Sequence, residues 1–114
     1  MLLLLAACGR AADVAPSVVT IMTFNLQNLF DNADDPGKND RTFMAAAYKL
    51  SDEHKRECAK IPVQKWRDEC LYLDWNDQII EKKLAAIAAA IKQVDNGRGP
   101  DILMLQEVEN VTIL

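Results

Sequence analysis

The chain has 114 residues, 50% of them hydrophobic, and a formal charge of −4 at pH 7. That acidic balance excludes a broad basic patch of the kind that gives non-specific nucleic-acid affinity. The length admits one small domain, and no internal repeat or low-complexity segment divides it.

In chain order, the opening residues Met1-Leu2-Leu3-Leu4-Leu5-Ala6-Ala7-Cys8 are apolar and lead into small residues. They resemble the end of a bacterial lipoprotein signal peptide, with Leu5-Ala6-Ala7-Cys8 as the lipobox and Cys8 as the lipidated residue. The resemblance implies export, as a periplasmic or outer-membrane-anchored lipoprotein, and contact with a membrane surface through the lipid. A complete signal also has a basic n-region and a longer apolar core, so a start further upstream is expected. An ordinary cleaved or truncated signal with an incidental cysteine is the competing reading. The run is shorter than the about 20 apolar residues that a membrane span needs. Gly9 to Ser17 is small and polar and reads as a tether, which makes residues 1–17 signal remnant and tether together.

Val18 to Phe24 is β-branched and apolar and predicts a strand ending at Asn25. Asp31 to Asp40 is dense in turn formers and predicts a loop. Its carboxylates lack the spacing and terminal Glu of an EF-hand, so it reads as a solvated surface turn. Asp40 is placed to cap a helix from about Arg41 to Lys60, with Phe43, Ala47, Leu50, His54 and Cys58 on one face. Pro62 breaks that helix and starts another, striped by Val63, Trp66, Cys70 and Leu73. Asp74 or Asn76 caps a third helix, whose face is Ile80, Leu84, Ile87, Ile91 and Val94. Asp95 to Pro100 ends it. This last helix is the natural crossover between two parallel strands, and the helical pair at about 41–73 reads as an insertion ahead of it.

The second strand is Ile102-Leu103-Met104-Leu105, four apolar residues followed by Gln106 and Glu107. A short run bounded by turn residues suits a strand buried on both faces. Ligands of open α/β sheets bind outside the carboxyl ends of the strands, so Asn25 and Glu107 are expected at one edge. There an amide and a carboxylate can hold a hard cation and orient a phosphate. Gln106 is expected on the other side of the strand, as structural support. Asp31 and Glu109 read as surface residues.

Three cysteines are present. If Cys8 is lipidated, Cys58 and Cys70 remain as a pair. On one continuous helix they would stand about 18 Å apart, too far to bond, but Pro62 permits a reversal. A disulfide between them is expected in an exported protein. Two buried free thiols, or half of a zinc site, are the alternatives.

Thr23-Phe24-Asn25-Leu26-Gln27-Asn28-Leu29-Phe30, followed by Asp101-Ile102-Leu103-Met104-Leu105-Gln106-Glu107, resembles the opening of the endonuclease/exonuclease/phosphatase superfamily. The resemblance spans about Val18 to Asn110, and its specific parts are the two strand motifs. It implies a four-layer α/β sandwich, two mixed sheets flanked by helices, of which residues 18–114 would be the first strands and helices. It also implies a metal-dependent phosphoesterase, with Glu107 as ligand to Mg²⁺ (or Mn²⁺ or Ca²⁺). Asn25 would lie beside it as a catalytic and metal-site residue. A nuclease acting on phosphodiesters by metal-activated water is the leading expectation, with nucleic acid as partner and no obligate protein partner. A phospholipid or inositol-phosphate phosphoesterase is the alternative, as is a non-catalytic surface lipoprotein binding module on the same scaffold. The family's later His and Asp positions have no counterpart here, so the chain by itself is expected to be inactive. His54, the only histidine, lies in the apparent insertion and reads as a partly buried helix residue.

Overall fold

The structure, a computed structural model, describes residues 17–114. The lipobox with Cys8, and nearly all of the tether, lie outside the described residues. Among the described residues no helix is long and apolar enough to cross a membrane.

The fold is α/β. Strand β1 (Ile21–Leu29) is followed by α1 (Asp52–Ala59), α2 (Gln64–Tyr72), α3 (Asp77–Lys92) and strand β2 (Ile102–Val108). The two strands pair in parallel, from Ile21 opposite Ile102 to Asn25 opposite Gln106. Asp101 fastens the start of the ladder: its Oδ2 accepts from Thr20 N–H at 2.8 Å, and its own N–H donates to Thr20 O at 2.9 Å.

The helix expected from Arg41 to Lys60 is not continuous. Two 3₁₀ turns, Arg41–Phe43 and Ala46–Tyr48, precede α1. Asp40 makes no side-chain cap. Ser51 caps α1 instead, its Oγ accepting from His54 N–H at 3.1 Å. The physical reason lies in Asp40 and Lys49, whose tertiary partners hold this segment away from helical pairing. Asp40 Oδ2 accepts from Asp35 N–H at 3.1 Å. Lys49 is 3% exposed and donates from Nζ to Thr42 O at 2.7 Å and Leu73 O at 2.6 Å. Leu73 caps the end of α2, so Lys49 satisfies a carbonyl that the helix itself leaves unpaired. Burial pushes its ammonium down to about 8, partly offset by the charge of Asp74.

Pro62 lies between α1 and α2, and the chain reverses there. The reversal sets Cys58 and Cys70 at disulfide distance, with Cα atoms 5.7 Å apart and Sγ bonded to Sγ. Both cysteines are fully buried. Asn76 caps α3 through Ile79 N–H at 3.1 Å. Asp74, the other candidate cap, accepts from Ala46 N–H at 2.8 Å. Asp95 and Asn96 take φ of 50° and 53° and end the helical run.

Among the described residues, the buried apolar ones are Leu26, Leu29, Cys58, Cys70, Trp75 and Ile80. Phe30 stacks on Phe43 with centroids 4.0 Å apart, and Phe43 meets Trp75 edge-on at 5.4 Å. The Trp75 indole N–H donates to Phe30 O at 2.9 Å. β2 departs from the expectation of burial on both faces: Ile102 and Met104 are each 48% exposed. Such burial needs a helical layer on each side of the sheet, and the three α-helices of the described residues do not supply both.

Candidate functional site

Asn25 and Glu107 come together at the carboxyl end of the sheet. Asn25 Nδ2 donates to Glu107 Oε1 at 2.7 Å, and Asn28 N–H donates to Glu107 Oε2 at 3.1 Å. Asn25 Oδ1 accepts from Gln27 N–H at 2.8 Å. Both Asn25 and Glu107 are exposed to solvent.

This contact does not follow from parallel pairing. Asn25 stands opposite Gln106 in the register, and opposed residues of a sheet share a face. Regular alternation along β2 would therefore turn Glu107 to the other face. Glu107 has φ of 58°, which breaks the alternation. β1 is irregular at the same level. It runs on past Asn25, where the sequence pattern ended it, and Gln27 and Asn28 take φ of 51° and 61°. Pairing resumes only at Leu29 opposite Val108. Leu26, Gln27 and Asn28 of β1 thus face Glu107 alone on β2, a bulge of the kind that re-aims side chains at sheet edges and beside active sites. Among the described residues, five non-glycine positions take positive φ: Gln27, Asn28 and Glu107, with Asp95 and Asn96. Three of those five lie at this site.

Lys83 belongs to the site and was not singled out by the sequence. It sits on the α3 face that carries Ile80 and Ile87, and its Nζ donates to Gln27 O at 2.5 Å and Asn28 O at 3.2 Å. The ammonium also lies 5.3 Å from the centroid of the Trp75 ring. Burial pushes Lys83 below its ordinary range, while the Glu107 carboxylate pulls it back up. A lysine within an otherwise apolar helix stripe was the available signal. Lys83, Ala86 and Ile87 border the same depression as Phe24 to Gln27.

Asp31 and Glu109 are not simple surface residues. Asp31 N–H donates to Glu109 Oε2 at 3.0 Å, and Asn110 Nδ2 donates to Asp31 Oδ2 at 2.9 Å. Burial raises the Glu109 carboxyl above its ordinary range, against the lowering effect of the Asp31 N–H, and the charges of Asp31 and Asp40 add to the rise, as does hydrogen bonding of the protonated acid to the Asp40 carboxyl. The Asp31–Asp40 loop, read as a solvated turn, brings carboxylate oxygens of Asp35 and Asp40 to Glu109, all within 4.8 Å of one another.

His54 is 6% exposed, and its Nε2 lies 2.9 Å from Cys70 O and 3.2 Å from Cys58 Sγ. The two sulfurs stand at bonding distance, and a disulfide offers no thiolate to a metal. The His54 ring has its polar contacts with Cys70 O and Cys58 Sγ and shares no hydrogen bond with Asn25 or Glu107.

No protein-family model matches the chain, and no curated protein or solved structure matches it.

Proposed function

We propose that residues 18–114 form the opening portion of a metal-dependent phosphoesterase domain of the endonuclease/exonuclease/phosphatase type, within a four-layer α/β sandwich. Phosphodiesters, nucleic acid first among them, are the substrates of this reading. The observation that carries it is the Asn25–Glu107 hydrogen bond at the carboxyl edge of parallel strands, 2.7 Å long and held by strained backbone. Export through a lipidated Cys8 belongs to the same proposal, on the lipobox alone.

The residues suit a hard cation. Each Glu107 oxygen accepts one hydrogen bond and retains capacity for a second partner. Mg²⁺ is commonly held by one or two carboxylates, with water and substrate completing its shell. A bound Mg²⁺ supplies Lewis-acid polarisation of the phosphate and stabilises charge on the leaving oxygen. Asn25 fixes the Glu107 rotamer through Nδ2, and its own Oδ1 is engaged by Gln27 N–H. Of the two, Glu107 is therefore the ligand and Asn25 the residue that positions it. The second hydrogen of the Asn25 amide remains for a phosphate oxygen. Lys83 holds the bulged backbone of β1 and adds positive charge near the pair, which favours an anionic substrate.

The decisive assay is hydrolysis of plasmid DNA and of a generic aryl phosphodiester by the complete domain, with Mg²⁺ and with EDTA. Mg²⁺-dependent cleavage is expected, and activity that survives EDTA would overturn the reading. A complete domain that binds a partner but cleaves neither substrate would favour the non-catalytic binding module.

A further inference from the structure

The Asp31–Asp40 loop and the residues after β2 meet in a group of acids that the proposed hydrolysis does not use. Asp35, Asp40 and Glu109 each supply a carboxylate oxygen, and these oxygens lie within 4.8 Å of one another. Like charges so placed repel strongly away from bulk water. Acids gathered at a surface often mean nothing more than solvation, but two features here go further.

The first is a pair of unsatisfied atoms. Asp40 is 2% exposed, and its Oδ1 is buried with no hydrogen-bond partner. Glu109 Oε1 is likewise buried without a partner. Buried polar atoms are almost always paired, and an exception calls for an explanation, an ion among them. The second is the anchoring. The other oxygen of each carboxylate is fixed by a backbone N–H, Asp40 Oδ2 by Asp35 at 3.1 Å and Glu109 Oε2 by Asp31 at 3.0 Å. Carboxylates that ligate metals are themselves held by such outer hydrogen bonds. On both residues one oxygen is anchored by a backbone N–H, and the other lacks a donor unless the Glu109 and Asp40 carboxyls share a proton, which a bound cation would displace.

We propose that Asp35, Asp40 and Glu109 form a binding site for a hard divalent cation, Ca²⁺ first. It uses neither Asn25 nor Glu107, and it stands whether or not the chain hydrolyses phosphodiesters. Ca²⁺ takes about six to eight oxygen ligands in flexible geometry, whereas Mg²⁺ demands a near-ideal octahedron, and a site drawn from an irregular loop and the segment after β2 suits the more tolerant ion. Ca²⁺ also accepts neutral oxygens, and Asn39 borders the same cavity. Lys38 borders it as well, so the site is not purely anionic. A cation here would tie the loop to the segment that directly follows Glu107.

The test is thermal unfolding of the purified protein in EDTA, in about 5 mM CaCl₂ and in about 5 mM MgCl₂, together with Ca²⁺ titration calorimetry. Ca²⁺ is expected to raise Tm by at least about 5 °C, and Mg²⁺ by less. Asp40→Asn and Glu109→Gln, which keep shape and relieve repulsion, should each abolish the Ca²⁺ shift and the calorimetric binding. Glu107→Gln should retain both. If Asp40→Asn fails to fold, Asp35→Asn with Glu109→Gln makes the same comparison. An absence of any Ca²⁺ effect on the native protein overturns the site and leaves a proton shared between carboxyl groups. Retention of the shift in both variants overturns it as well. Loss of the shift in Glu107→Gln alone assigns the ion to the Asn25–Glu107 pair and not to this cluster.

Discussion

Asn25 and Glu107 stand 82 residues apart in sequence, and the Asn25 amide donates to the Glu107 carboxylate at 2.7 Å. That bond exists only because Glu107 takes a left-handed backbone conformation, φ 58°, against the alternation of its strand. A non-glycine residue in that conformation carries a conformational cost of about 1–3 kcal/mol. The two residues and the bulge between them form one unit, and substitutions in it are expected to act on function more than on folding.

In the complete domain, Glu107→Ala should reduce Mg²⁺-dependent phosphodiester hydrolysis by at least about 10²–10³-fold, the scale of losing one preorganised charge contact. Asn25→Ala should reduce kcat by a smaller factor, because the carboxylate keeps the Asn28 N–H. His54→Ala should leave the rate nearly unchanged while lowering stability, since its ring is buried against Cys70 O. Steady-state kinetics on the three variants checks this. Full activity in Glu107→Ala, or a large loss in His54→Ala at matched folding, would falsify the placement of the active site.

The Cys58–Cys70 pair closes a sequence separation of 12 residues. Constraining a loop of that size in the unfolded chain stabilises the fold by about 3 kcal/mol. The double variant Cys58→Ser, Cys70→Ser should lose that much in denaturant unfolding. Thiol counting on the unfolded, unreduced protein should find neither cysteine free. Two reactive thiols at these positions would contradict the bond.

Lys49 predicts a pH dependence in the alkaline range. Its ammonium is pushed from 10.5 to about 8 in the folded chain. Between those values the unfolded chain holds the proton more than the folded one does, so stability rises with pH through that window. Below it the cost of burying the charge is fully present. The neutral amine keeps two donors for Thr42 O and Leu73 O. Lys49→Met leaves both carbonyls unpaired and should cost about 1–3 kcal/mol. The Tm advantage of the native protein over Lys49→Met should grow between about pH 7.5 and 9.5. A gap that narrows would show that Lys49 holds its proton without penalty.

Expressed behind a complete signal, the protein should partition with membranes, and Cys8→Ala should release it. Lipoprotein cysteines carry several acyl chains, and one chain alone anchors only marginally. Fractionation with and without high salt separates lipid anchoring from surface adsorption. Membrane association unchanged in the variant would dispose of the lipobox.

The sequence alone determined the elements whose signals are local. The apolar runs at Val18–Phe24 and Ile102–Leu105 gave the strands, and the stripe from Ile80 to Ile91 gave α3. Pro62 and the cysteine count pointed to the reversal that pairs Cys58 with Cys70. Asn25 and Glu107 were legible as candidates because each directly follows an apolar run at a strand's carboxyl end. What only the tertiary structure decided depends on partners far away in sequence. The helix expected from Arg41 gave way because Lys49 reaches the end of α2, from which 24 residues separate it. Lys83 entered the site through carbonyls 56 and 55 residues away. Glu109 met Asp31 across 78 residues, so an apparently solvated turn became one wall of an acidic pocket. Local pattern reports which side chains seek burial, but not which backbone groups or charges a long-range contact brings to them. The bulge in β1 and the positive φ of Glu107 are of that kind, since no residue type in either stretch requires them.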